Sequence, residues 1–249
     1  GLNNEAKKWS FDGALSDIKQ AIAIQDLPIY TQLEGDIHYL KQDFNSALAS
    51  YKKVNESNIR SASTIFTEAK TLEMLETPAE EVLVLMDSCV AQFNKPYSAD
   101  AAPYLIERAR VRMEAKQARN AVLDYDECYA ALLGNVNDGF YNLRGQACLE
   151  SKQYQRALDD FTKAIELNPR ELTYYSELAY VNMRVGRNQE AIDVLKKSLK
   201  IDAEYAEGYR LIGVAYLQLK QNAEACEYFN KAKELGDTNV DTLIDKYCK

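Results

Sequence analysis

Apolar residues along most of this chain return every three or four positions, the spacing of a helix with one buried face. Short polar clusters interrupt the pattern. Over the second half these are Glu150-Ser151-Lys152-Gln153, Arg184-Val185-Gly186-Arg187 and Gln218-Leu219-Lys220-Gln221, each lying between two helical stretches. Only five prolines and ten glycines occur in 249 residues, so little opposes helix formation and the class predicted is all-α. Pro169 stands where a helix has to end, because its ring and missing N–H cannot continue one.

The stretches repeat. Tyr141, Tyr175 and Tyr209 are spaced by 34 residues, and the same offset relates Gly145, Ala179 and Gly213, then Ala157, Ala191 and Ala225. Phe161, Leu195 and Phe229 follow, then Ala164, Ser198 and Ala232, and finally Leu167, Ile201 and Leu235. Small residues let paired helices cross tightly, and the large ones fill the space beside the crossing.

These columns resemble the tetratricopeptide repeat, which has a large residue at position 4, small residues at 8, 20 and 27, a large apolar residue at 24 and often proline at 32. Tyr141, Gly145, Ala157, Phe161, Ala164 and Pro169 fill all six; in the next two units Ser198 stands at position 27, and Ala203 and Asp237 replace the proline. Upstream, Gly35, Ala47, Tyr51 and Val54 match one more unit, while Val82, Met86 and Cys89, and Ala121, Tyr125 and Cys128, mark two degenerate ones. The anchor column Ala14, Ala47, Val82, Ala121, Ala157, Ala191, Ala225 has steps of 33, 35, 39, 36, 34 and 34, which predicts longer helices or loops near residues 94–98 and 135–138.

The resemblance implies a right-handed α-solenoid of stacked antiparallel helix pairs, one domain over residues 1–249. Its parts are a partial first repeat at 1–27, a repeat at 28–61, degenerate repeats at 62–100 and 101–137, repeats at 138–171, 172–205 and 206–239, and a capping helix at 240–249. The register leaves Leu2 to Lys8 for the first helix of the partial repeat, so residues upstream of Gly1 are expected to complete it.

Charge and chemistry narrow the function. A net charge of −8 repels polyphosphate and sets nucleic acid aside, and no apolar run reaches the length of a membrane span. The chain opens on Gly1 rather than methionine; a removed leader is the expectation, which favours the bacterial cell envelope over the cytoplasm. Five unevenly spaced cysteines fit neither a disulfide framework nor a paired metal motif. Cys89, Cys128, Cys148 and Cys226 are read as small core residues, Cys128 and Cys148 as free thiols on facing helices, and Cys248 as an exposed thiol.

A lone histidine, His38 at repeat position 11, is read as structural, which leaves no base for a nucleophile and no histidine metal site. Phosphate-binding and hydrolase strings are absent, and the adjacent carboxylates Asp159-Asp160 and Glu80-Glu81 are read as solvated. No catalysis, metal or cofactor is expected.

Among seventeen tyrosines, Tyr51, Tyr125, Tyr141, Tyr175 and Tyr209 fall on packing columns, whereas Tyr39 and Tyr180 do not. In the family, first-helix positions 2, 5, 9, 12 and 13 line a concave face that holds partners. Carried over, that face collects Asp36, Tyr39, Thr71, Met74, Arg110, Met113, Asn142, Gln146, Tyr180, Met183, Arg184 and Arg210. Methionines and tyrosines would supply an adaptable lining and the arginines forks for carboxylates. The family's grip on a C-terminal carboxylate is not reproduced, since no unit has a basic residue at position 2. The function expected is a protein- or peptide-binding scaffold acting through the concave groove, with a monomer favoured. The alternatives are an oligomerisation module and a glycan-binding protein of the cell envelope.

Overall fold

The structure, a computed structural model, describes residues 10–56 and 61–248. Among these residues there are fourteen α-helices and no strand, so the all-α class and the helix-pair architecture are as expected. Helix α1 (Phe11–Ile24) comes first. Six pairs follow: α2 (Pro28–Leu40) with α3 (Phe44–Glu56), α4 (Ala62–Met74) with α5 (Ala79–Val90), α6 (Ala102–Glu114) with α7 (Ala118–Ala131), α8 (Asp138–Glu150) with α9 (Tyr154–Leu167), α10 (Leu172–Arg184) with α11 (Asn188–Ile201), and α12 (Ala206–Gln218) with α13 (Asn222–Glu234). A short α14 (Asp241–Tyr247) closes the series after a 3-10 turn at Thr238–Val240. The expected helix at Leu2–Lys8 lies outside the described residues.

The chain packs as two compact units, one up to Gly134 and one from Asn135 onward. In the first, α1 to α7 pack each on the next; in the second, α8 to α14 do so. The longer spacings of the sequence have a visible cause. An irregular stretch and a 3-10 turn at Ala99–Ala101 separate α5 from α6, and six residues separate α7 from α8.

Local chemistry sets the helix limits. Ser10, Ser61 and Asn137 cap α1, α4 and α8 by accepting the N–H of Gly13, Thr64 and Phe140, each satisfying a donor that the helix leaves open. Pro28 and Pro103 occupy first-turn positions, where a missing N–H costs nothing. Every turn inside a pair uses one device. The second residue past the first helix is left-handed, at Gln42, Glu76, Lys116, Lys152, Gly186 and Lys220, and the next N–H bonds back to a carbonyl of the last helical turn, as from Asp43 to His38 and from Gln153 to Cys148.

Across the pairs, the small residue of the first helix faces the large residue of the second. Ala69 with Met86 and Ala179 with Leu195 share buried clusters, and Gly35, Gly145 and Gly213 lie under the rings of Tyr51, Phe161 and Phe229. A Cβ on any of these three glycines would come within 3 Å of the ring. Glycine therefore accompanies an aromatic ring where alanine accompanies a narrower side chain; Ala109, at the same place in α6 as these small residues, precedes Tyr125 and is the exception. Each fully buried aromatic contributes roughly 1.5–3 kcal/mol.

Two repeats add a charged pair inside the packing. The Arg108 guanidinium grips Asp124 at 3.1 and 2.6 Å, and Arg144 grips Asp160 at 3.0 and 2.7 Å. Asp160 is 4% exposed, which corrects its reading as part of a solvated carboxylate pair. The neighbouring Asp159 is the solvated one. At the matching positions of the next repeat stand Leu178 and Val194, so two apolar side chains and a bidentate ion pair occupy the same place.

The cysteines need a second correction. Cys248 is no exposed thiol: it forms a disulfide with Cys226, across Cα atoms 5.5 Å apart. The expectation of no disulfide failed because α14 folds back onto α13, a return that spacing alone does not reveal. Cys89, Cys128 and Cys148 are buried and take no part in a disulfide.

Candidate functional site

In the first unit the expected face is mostly satisfied by its own residues. Asp36 accepts the Tyr51 hydroxyl at 2.8 Å, and Tyr39 stands edge-on to Phe44 with centroids 5.5 Å apart. Burial and the Asp36 carboxylate together raise the Tyr51 hydroxyl above the ordinary tyrosine value. His38 lies 3.2 Å from Asp43 and ties the end of α2 to the start of α3.

Around α4 and α6 the residues at the face differ from those expected. The turn between α4 and α5, Leu75 to Pro78, has four residues where the other pairs have three. Counting back from Val82 by the usual interval therefore stops one residue short. Thr71 is buried with its hydroxyl on the Thr67 carbonyl, and Lys70 and Glu73 take the face instead. They join Glu107 and Arg110 of α6 in one ionic ladder: Lys70 reaches Glu73 at 2.5 Å and Glu107 at 2.6 Å, and Arg110 reaches Glu107 at 2.6 Å and also pairs with Glu73 and Glu114. Burial works against the charge on Glu107, but Arg110 and Lys70 outweigh it and hold its carboxyl below the ordinary range. Arg110 is thus not an open fork. Met74 is 51% exposed, and Met113 is half-buried.

In the second unit the face keeps more unspent polarity. Gln146 of α8 donates to Glu177 of α10 at 3.2 Å, linking the first helices of successive repeats. Burial raises Glu177 above its ordinary value, and the nearby Glu207 and Glu150 add to this. One turn before Gln146, the carboxamide oxygen of Asn142 is buried without a hydrogen-bond partner. Leu143 and Tyr180 are exposed, and so is Arg184. Arg210 is taken up by Asp237 at 2.8 Å and Glu207 at 2.9 Å. Met183 is 6% exposed inside the cluster of Ala179, Ala191 and Leu195, so it fills the core and is not part of an open lining.

Sequence reasoning missed Glu177 and Leu143 because they lie at repeat position 6, outside the columns carried over. Their signal was available: position 6 lies three residues before position 9, on the same face of the first helix. Of the tyrosines placed in packing columns, Tyr51, Tyr125 and Tyr175 are buried, while Tyr141 and Tyr209 are half-buried. Among the described residues no cluster of histidine, cysteine or acidic side chains could hold a metal ion, and no helix is long and apolar enough to cross a membrane.

Helix pairs in series, each closed by a small residue under a large one, define an α-helical repeat protein. Those of the second unit are tetratricopeptide repeats: the tetratricopeptide repeat models match residues 140–171 and 206–235, and a TPR repeat model matches residues 183–220. The chain is similar to Small glutamine-rich tetratricopeptide repeat-containing protein 2 of Mycosarcoma maydis, at 33% identity over 95 residues, 38% of this chain and 27% of that protein. It is similar over almost its whole length to Hsp70-Hsp90 organizing protein 2 of Arabidopsis thaliana, at 29% identity over 98% of this chain and 42% of that protein. The chain therefore spans less than half the length of either relative. A tetratricopeptide repeat protein from Parabacteroides merdae has the same fold, with a TM-score of 0.60 at 17% identity over 98% of this chain and 93% of that one. So has YrrB, described as a TPR protein with an unusual peptide-binding site, at a TM-score of 0.60 and 19% identity over 79% of this chain and 97% of that one.

Proposed function

We propose that the chain is a non-catalytic scaffold that holds a peptide or protein segment against the first helices of its second unit. The observation that carries this reading is the stripe along α8 and α10. There a buried carboxamide oxygen on Asn142 lacks a donor, beside the Gln146–Glu177 link and within a surface that exposes Leu143 and Tyr180. A peptide N–H supplies the missing donor once the Asn142 carboxamide turns outward, and the exposed apolar and aromatic groups cover side chains, a combination suited to extended segments. The arginines contribute less than their number suggests, because Arg110 and Arg210 already hold carboxylates of their own chain. Similarity to proteins named as organizing or peptide-binding repeat proteins supports the same reading.

The test is a peptide array probed with the wild-type chain and with the Asn142→Ala/Tyr180→Ala double variant. The variant should keep its helical circular dichroism and lose the bound spots. Spots retained at full strength by a folded variant would reject this face.

A further inference from the structure

Helix α14 has seven residues, too few to hold helical structure alone in water. Three links keep it in place. Leu243, Ile244 and Cys248 pack on the buried cluster of Ala225, Phe229, Ala232 and Val240; Lys233 pairs with Asp241 at 2.8 Å; and the Cys226–Cys248 disulfide joins the residue after α14 to the first turns of α13.

That disulfide is set apart from the other sulfurs by access. Cys226 and Cys248 are both partly exposed. Cys89 and Cys128 are fully buried, and burial pushes each thiol up to about 11. Cys148 is likewise at 0% exposure. Thiol–disulfide exchange requires a thiolate to reach a sulfur, so exchange is confined to one place in the described chain.

We propose that Cys226–Cys248 is a redox-operated latch: a soluble dithiol reductant opens it, and opening frees α14 from the apolar side of α13. A thiolate of the reductant attacks one cysteine sulfur, forming a mixed disulfide and expelling the other cysteine as thiolate, which takes up a proton. The second thiol of the reductant then attacks the mixed disulfide and releases the remaining cysteine. Two electrons and two protons pass to the protein, and the reductant leaves as its own disulfide. Once the tether is gone, a seven-residue helix is held by the packing of Leu243, Ile244 and Cys248 and by one surface ion pair, and its departure uncovers Ala225, Phe229 and Ala232. The oxidant that reverses the step is any disulfide of low-molecular-weight thiols.

The experiment is hydrogen exchange read by mass spectrometry on the whole chain, with and without dithiothreitol, followed by reoxidation with oxidised glutathione. On reduction, amides of residues 238–248 should exchange about tenfold faster or more while those of α8 to α11 stay unchanged, and reoxidation should restore protection. A dye that fluoresces on apolar surface should brighten in parallel. Because the wild-type chain is reduced in place, no variant has to fold; Cys226→Ser/Cys248→Ser should match the reduced state without reductant. Equal protection of 238–248 in both redox states would overturn the proposal, as would loss of protection throughout α8 to α13.

Discussion

Gly213 on α12 lies so close to the ring of Phe229 on α13 that a methyl group added to it would stand 2.5 Å from Cε1 and 2.6 Å from Cδ1. Phe229 is fully buried and has nowhere to move, and the Ala225 carbonyl closes the other side at 3.1 Å. One repeat earlier the same crossing is made by Ala179 and Leu195, both fully buried.

From this follows a test of compensation. Gly213→Ala gains up to about 1 kcal/mol of helix propensity but overpacks the crossing by roughly 1–3 kcal/mol, so it should destabilise. Phe229→Leu alone leaves a void beside glycine and should destabilise too. The double variant rebuilds the Ala179–Leu195 solution and should be more stable than the sum of the two losses, as read by urea unfolding. Strict additivity would mean that the two positions do not share one volume.

The Arg144–Asp160 pair offers a second test. Asp160→Ala leaves a guanidinium that is largely buried without its bidentate partner, at a cost of about 3–5 kcal/mol. Arg144→Leu with Asp160→Val copies Leu178 and Val194 and should recover most of that loss in thermal melts. A double variant as unstable as Asp160→Ala would show that the charges themselves are required.

The ladder on α4 and α6 should respond to salt. Glu107→Gln removes the carboxylate shared by Lys70 and Arg110, with a predicted loss of about 0.5–1 kcal/mol at low ionic strength, because these groups are partly exposed. The deficit should shrink as salt is added. Acid should erase it as well: a carboxyl held below its ordinary value in the folded chain stabilises above the unfolded value, and that contribution is lost as pH falls through the folded one.

Glu177 predicts the opposite slope. Its pKa is raised above the ordinary 4.5, first by burial, so between 4.5 and its folded value the native state holds the extra proton and stability falls as pH rises. Charged Glu177 is then a burden at neutral pH. Glu177→Gln, which can still accept from Gln146, should raise the melting temperature at pH 7 and coincide with the wild type below pH 4.5. A lower melting temperature at pH 7 would refute the assignment.

Much of this architecture was legible because the packing columns are set by size alone. Gly35, Ala47, Tyr51, Ala157, Phe161 and Ala225 announce the crossings without reference to anything distant. The site was less legible for two physical reasons. A single residue added in the turn from Leu75 to Pro78 rotates the assignment of α4 by 100°, which exchanges buried Thr71 for Lys70 and Glu73 at the face. The arginines were misjudged because carboxylates of the same chain already hold them: Arg110 pairs with Glu107 and Glu114 of its own helix and with Glu73 of α4, and Arg210 with Glu207 of its own helix and with Asp237 beyond α13. Cys226 and Cys248 belong to the same class of error, a contact made by the chain turning back.

The disulfide also has a mechanical consequence. A load applied beyond Cys248 reaches Cys226 through the sulfur bridge and bypasses α14. The segment between the cysteines, a sequence separation of 22 and roughly 75 Å of contour at full extension, is then withheld from stretching, and α13 takes the force in its first turns. Cutting the bridge before pulling should add that hidden length to the first extension event and shift the earliest rupture from α13 to α14.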